Sequence, residues 1–279
     1  MAELIAGVGA SHAPSITSAL ASGQAGQAQW RPLFDAFAHV RQWLDDREPD
    51  ALVVIYNDHC EEFFLDRCPT FSIGVADRFD VTGHDGELPP VPGHADLGWH
   101  IASEAVAAGI DFTVCRRQGV DDGVVVPLPL LDDEWKVPIV PININVVWEP
   151  RPTPARCWAM GAAVGAAIRS HPEPLRVAVV GSGGLSHQLA GAEFGMVRPE
   201  WDRKFLRQME EAPDELRAYT MDELARDAGT EGVEVVQWIA MRAALGDACR
   251  ATYTCYYPYR MMGYAVVCYE PVAIDLATA

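Results

Sequence analysis

Short apolar runs closed by polar or glycine residues alternate along the chain with longer stretches whose apolar positions return every three or four residues. Residues 4–8, 51–55, 71–75, 112–115, 138–146 and 177–180 have strand length, are rich in Val and Ile, and read as strands. The stretch 33–44 places Leu33, Phe34, Phe37, Val40 and Leu44 on one face, and the Ala-rich stretches 94–108 and 154–169 carry aromatic anchors, so all three read as helices. Further helical patterns fall at 200–209, 221–227 and 232–245, before a Tyr-, Val- and Cys-rich pair, 252–257 and 264–269, that predicts a terminal hairpin. This βαβ rhythm predicts an α/β fold in which helices cover a largely parallel or mixed sheet. Two stretches dense in Gly, Pro and Asp, 80–94 and 119–130, read as working loops. With no internal repeat and no long linker, residues 1–279 are expected to form a single domain.

Composition narrows the classes. Of 279 residues, 49% are apolar and 22% charged, enough for a buried core and unlike a disordered chain. The formal charge of −18 speaks against a nucleic-acid binder, which needs a basic footprint, and against docking on anionic lipid. No run of about 18 uncharged apolar residues offers a membrane span. The first residues, MAELIAGVGA, lack the basic start of a secretory signal. Seven scattered cysteines without a CxxC spacing predict reduced thiols and a cytoplasmic protein.

The eight histidines carry the chemical signal. Three sit just beyond the carboxyl end of a predicted strand: His12 after LIAGVGAS, His59 after ALVVIYND and His187 after RVAVVGSGGLS. In an open α/β sheet the loops at that edge converge on one crevice. A fourth group is Glu234, placed by helical spacing on one stripe with Trp238, Met241 and Leu245. An ionised carboxylate on an apolar face needs a cationic partner or a metal; Arg242 offers the former, a metal site the latter. Two imidazoles and one carboxylate form the facial triad of non-haem Fe(II) oxygenases. Zinc hydrolases use the same donors, so ligand type leaves the metal open.

The segments GASHAPSI, VIYNDH, GHADLGWHIA, VAVVGSGGLSHQL and GTEGVEVVQWIAMRAAL, in this order and spacing, resemble the class III extradiol ring-cleavage dioxygenases of the protocatechuate 4,5-dioxygenase β-subunit type. The likeness runs from residue 5 to about 250 and includes PTFSIGVA and PININVV. It implies a three-layer α/β/α fold, one Fe(II) held by His12, His59 and Glu234, and His187 as the acid/base. The implied reaction inserts both atoms of O2 into a catechol-like ring, carboxylated or amino-substituted forms included, and opens it. A base of near-neutral pKa suits such proton traffic.

Two departures qualify the likeness. Where the family carries VDHG, with a histidine that touches substrate, this chain has Val120-Asp121-Asp122-Gly123, so Asp122 takes that place and is expected to be a catalytic residue beside His187. A carboxylate accepts a hydrogen bond but does not donate like an imidazolium. A shifted substrate class and a weakened or non-enzymatic oxygenase subunit are both compatible with that change. The carboxyl-terminal stretch follows the family only loosely; there Arg260 is a candidate for pairing with a substrate carboxylate and Tyr259 for stacking on its ring, with Asn57 a further substrate contact beside His59. The resemblance also implies either a homo-oligomer, with 80–94 as its lid, or a hetero-oligomer with a small α-type subunit.

Overall fold

In the computed structural model, which describes residues 1–83, 88–246 and 248–272, the apolar runs join into one eight-stranded sheet. In chain order the elements are β1 (Glu3–Ala10), α1 (Pro14–Ala21), α2 (Arg31–Asp45), β2 (Ala51–Tyr56), β3 (Phe71–Gly74), β4 (Arg78–Phe79), β5 (Val91–Pro92), α3 (Ala95–Ala107), β6 (Thr113–Cys115), α4 (Asp122–Val125) and α5 (Leu128–Leu131). The second half comprises β7 (Ile139–Ile144), α6 (Pro154–Ser170), β8 (Arg176–Ser182), α7 (Pro199–Glu211), α8 (Pro213–Ala218), α9 (Met221–Ala228), a 3-10 turn (Gly232–Glu234), α10 (Val235–Ala244), β9 (Cys249–Tyr259) and β10 (Met262–Pro271). The sheet order is β6-β3-β7-β2-β8-β1-β10-β9. Its centre, β7-β2-β8-β1, is parallel, while β10 runs antiparallel to β1 and β3 antiparallel to β7. The sheet is therefore mixed.

Strand β2 shows why helices cover both faces. All six of its residues are buried: Ala51, Val53 and Ile55 join a core shared with α3, α6 and α10, while Leu52, Val54 and Tyr56 join a core shared with α1, α2, α4 and α5. A strand that alternates sides without alternating polarity must be covered twice. In β1 a register irregularity between Leu4 and Ala6 moves the even-numbered side chains from the first core to the second. The result is a three-layer α/β/α arrangement.

Two expectations need correction. The stretch 119–130 is not loop throughout: Asp121 caps the one-turn helix α4 through a bond from Gly123 N (3.0 Å), and α5 follows directly. The pattern 232–245 is not one helix, because its first residues form the 3-10 turn and α10 begins at Val235. Of the proposed lid, residues 84–87 lie outside the described residues, and β5 within it pairs with β4.

Helix α10 lies against the sheet where the strands carry no side chains. A Cβ on Gly9 would strike the Trp238 ring, and one on Gly181 would come within 3.0 Å of the Trp238 Cα. That close approach lowers the start of α10, and Glu234 with it, onto the carboxyl ends of β1 and β8. All seven cysteines are free thiols, and among the described residues no helix is long and apolar enough to cross a membrane.

Candidate metal centre

Strands β2, β8 and β1 are neighbours and run parallel, so the loops after them open at one edge. His59, His187 and His12 come from those loops. One metal-ligating atom from each of His12, His59 and Glu234 lies within 4.8 Å of the others. His12 Nε2 is 3.2 Å from His59 Nε2 and 3.6 Å from Glu234 Oε2; His59 Nε2 is 3.4 Å from Glu234 Oε1.

Hydrogen-bond accounting assigns the tautomers. Ser182 Oγ spends its single proton on the Gly123 carbonyl, 2.6 Å away, so it accepts from His12 Nδ1 (2.9 Å). Asp121 is buried and its Oδ2 accepts from both the backbone N (2.7 Å) and the Nδ1 (2.8 Å) of His59. Each imidazole therefore carries a proton on Nδ1, and in its neutral form turns an Nε2 lone pair inward. Two such lone pairs and a carboxylate facing one point form a donor set that suits a divalent ion bound by N and O ligands. The residues present fit a non-haem Fe(II) site.

The same acidic partners also raise the affinity of the cluster for a proton, which competes with a metal ion for Nε2. Burial works to push the His59 imidazole down, but its bonds to Asp121 and Glu234 prevail and raise it to about 11. Burial likewise pushes the Glu234 carboxyl up, yet the charge and hydrogen bonds of His12, with help from His59 and His187, hold it well below the usual carboxylate range.

Glu234 sits differently from its expected place on an apolar helical stripe. It ends the 3-10 turn and stands at the N-cap of α10, where the helix dipole favours a negative charge. Its carboxylate accepts from Gly184 N (3.1 Å) and from Asn57 Nδ2 (3.3 Å), and Gln237 fixes the Asn57 amide by donating to its Oδ1 (2.9 Å). The guanidinium of Arg242, the alternative partner, donates instead to the carbonyls of Met209 and Gly246. Glu231 turns to the Leu189 N–H (2.9 Å).

His187 donates Nδ1–H to the Leu185 carbonyl (2.9 Å), leaving an Nε2 lone pair 3.9 Å from Glu234 Oε2. A cavity of about 390 Å³ opens onto the cluster; His12, His59, His187, Glu234, Asp122, Glu231, Ser15, Arg260 and Tyr264 are among its walls. Asp122 thus lines the cavity beside the triad. Arg260, in the left-handed region (φ 54°) at the β9–β10 turn, is exposed at the cavity wall. Tyr259 packs its ring edge-on against Trp30 (5.2 Å between centroids), and the tyrosine that lines the cavity is Tyr264, whose hydroxyl is bonded to Ser15 Oγ (2.7 Å). Asn57 acts on Glu234 rather than lining this cavity, and borders a second recess behind His59 with Arg151 and Val147. Sequence reasoning missed Asp121, Ser182 and Gln237. A signal for Asp121 was available: an Asp shortly before the apolar run that starts at Val124 is an N-cap pattern.

A three-layer α/β/α fold that presents two imidazoles and one carboxylate to a cavity is consistent with the class of non-haem Fe(II) proteins. Residues 7–267 match the family described as the catalytic LigB subunit of aromatic ring-opening dioxygenase, and the chain belongs to that family. It is 39% identical over 194 residues to a gallate dioxygenase of Pseudomonas putida (strain KT2440), a match covering 68% of this chain and 57% of that protein. The chain thus spans little more than half of that relative's length. It is 31% identical over 258 residues to a 2,3-dihydroxyphenylpropionate/2,3-dihydroxicinnamic acid 1,2-dioxygenase of Rhodococcus sp, covering 76% of this chain and 81% of that one. The crystal structure of an uncharacterized Escherichia coli K12 protein superposes with a TM-score of 0.61 at 15% identity over 95% of this chain and 99% of the other, a likeness of fold alone.

Proposed function

We propose that this protein is an extradiol dioxygenase that opens a catechol-like ring bearing a carboxylate, with insertion of both atoms of O2. The observation that carries the reading is the convergence of three inward-facing donors, His12 Nε2, His59 Nε2 and a Glu234 carboxylate oxygen, at the floor of a cavity of ligand size. Those three residues would hold Fe(II), with Asp121 and Ser182 fixing the rings from behind. When bound, Fe(II) supplies open coordination positions and redox coupling between a catechol and dioxygen.

The chain's own residues supply the rest. His187 Nε2, a lone pair aimed into the cavity, takes the proton of a ring hydroxyl and returns it to the product. Asp122 accepts a hydrogen bond from a hydroxyl or amino substituent; it has no proton to donate when ionised, so it favours rings rich in donors. Arg260 pairs with a carboxylate at the cavity wall, where its fixed donor fork suits two oxygens. Leu189, Phe194 and Met261 are exposed large apolar side chains, and Leu189 and Met261 line the cavity. They favour a covering chain, either a second copy or a small α-type subunit. The relatives' substrates, gallate and 2,3-dihydroxyphenylpropionate by their names, join protocatechuate as carboxylated candidates.

The test is anaerobic loading with Fe(II), followed by air and a panel of protocatechuate, gallate, 2,3-dihydroxyphenylpropionate, catechol and 2-aminophenol. Oxygen uptake with a coloured ring-opened product is expected for a carboxylated member. Iron-loaded protein that consumes oxygen with none of the five overturns the reading.

A further inference from the structure

Behind His187 lies a buried carboxylate that the proposed chemistry does not use. Asp202, on the first turn of α7, is fully buried, and both of its oxygens are engaged. Oδ1 accepts from the backbone N–H of Ser186 (2.9 Å); Oδ2 accepts from Ser186 Oγ (2.8 Å) and from the Tyr256 hydroxyl (2.6 Å). Ser186 Oγ in turn accepts from Arg198 N (2.8 Å). The fold makes room for this group: a Cβ on Gly263 of β10 would collide with Asp202 Oδ2. Burial raises the Asp202 carboxyl above its ordinary value, an effect that the bonds from Tyr256 and Ser186 and the charge of His187 offset only in part.

The Ser186 N–H belongs to the same peptide plane as the Leu185 carbonyl, and that carbonyl accepts from His187 Nδ1. The order is therefore Asp202 carboxylate, Leu185–Ser186 peptide, His187 imidazole, in one hydrogen-bonded line. A carboxylate on the N–H side polarises the peptide and strengthens its carbonyl as an acceptor. A stronger acceptor at Nδ1 holds the tautomer and aims Nε2, as a direct carboxylate partner does for a metal-ligating histidine. Further bonds of this loop, Leu185 N to Gly263 O (2.9 Å), Gly263 N to Ser186 O (3.0 Å), His187 N to Ala228 O (2.9 Å) and Gly232 N to His187 O (3.3 Å), fix the backbone but not the ring.

We propose that Asp202 is a positioning residue that acts on His187 through the Leu185–Ser186 peptide, so that a peptide stands between acid and imidazole in the proton-transfer apparatus. The inference rests on the reading of His187 as the base.

A double-mutant cycle on the iron-loaded protein tests it. Asp202→Asn keeps the shape and removes the charge. It is expected to lower kcat about 10- to 100-fold, in line with misaimed catalytic groups, with KM within twofold and iron content unchanged. In a His187→Gln background the same substitution is expected to change kcat less than twofold. Tyr256→Phe and Ser186→Ala leave the backbone bond to Asp202 intact and are expected to lose less than threefold. The proposal is overturned if Asp202→Asn loses less than threefold, if it loses the same factor in both backgrounds, or if the two control variants lose as much. Should Asp202→Asn not yield folded protein, Asp202→Ser goes through the same cycle under the same thresholds. A His187→Gln protein with unimpaired kcat sinks the role of His187 and this inference together, whereas an additive cycle on an impaired His187→Gln protein sinks the inference alone.

Discussion

Adjacent carboxylates, Asp121 and Asp122, differ in kind because one residue of chain separates a buried partner from a cavity wall. Asp121 is buried, takes two bonds from His59 and caps α4; Asp122 lines the cavity. Truncating the first should therefore act through the metal. Asp121→Ala frees the His59 ring to turn and removes the partner that fixes its tautomer. The expected loss of Fe(II) affinity is about 10- to 100-fold, measured by anaerobic metal titration; affinity equal to the parent's would remove Asp121 from the support of the site. At this scale the sequence was readable where a residue type was out of place. Histidines after strands and an acid on an apolar pattern drew notice, and the choice of His12 and His59 rather than His187 to join Glu234 came from the family resemblance; these three are the groups the fold brings together. Asp121, Ser182 and Asp202 drew none, because an Asp or Ser at a helix start or a strand end is ordinary; only the fold shows that Asp121 and Ser182 bond to imidazoles and that Asp202 bonds to the Ser186 N–H next to His187.

Elements deliver those residues through close contacts between backbones. Helix α6 crosses α10 at Gly161 and Gly165, where an added Cβ would collide with the carbonyls of Ala240 and Ala244. Backbone yields less readily than a side chain, so Gly161→Val should destabilise by at least the cost of overpacking, about 1–3 kcal/mol, and lower Tm by about 2–10 °C. Glu234 directly precedes α10, so the displaced helix should also weaken metal binding. Gly26→Ala is the control: nothing lies within 4 Å of its added Cβ, and Tm should stay within about 2 °C of the parent. Calorimetry of the two variants decides; a Gly161→Val protein as stable as the control would show that the two helices can part without loss. The strands and long helices of this architecture were legible, since burial on both faces of β2 demands an unbroken apolar run and one-sided burial of α2 demands a stripe. The one-turn helices α4 and α5 were not. Their Gly- and Pro-rich sequences favour loops, and they are helical through the Asp121 cap and through core burial of Val124, Val125, Leu128 and Leu131.

The whole molecule is where the metal should be felt most. His12, His59 and Glu234 stand at 47 and 175 residues' separation in the chain, on the ends of β1 and β2 and the start of α10, so one ion would tie the sheet to a covering helix. In the unfolded chain these donors are dispersed, and binding then favours the folded state by RT ln(1 + [L]/Kd). At a free Fe(II) concentration one hundred times Kd this amounts to about 2.7 kcal/mol, or a rise in Tm of about 5–10 °C for a chain of this size. The rise should depend on all three donors: His12→Ala leaves two, and its Tm should respond little to iron at the same concentration. Asp122→Asn alters the cavity wall without removing a donor, so it should keep the full rise while changing which rings are turned over. Anaerobic scanning calorimetry with and without Fe(II) separates these cases, and a His12→Ala protein stabilised as strongly as the parent would mean that the ion is held elsewhere. Placing the donors on three elements also explains how residues so far apart in sequence meet: β1, β2 and α10 are each anchored by their own buried faces, and the packing of the two cores brings the carboxylate and the two imidazoles to one point.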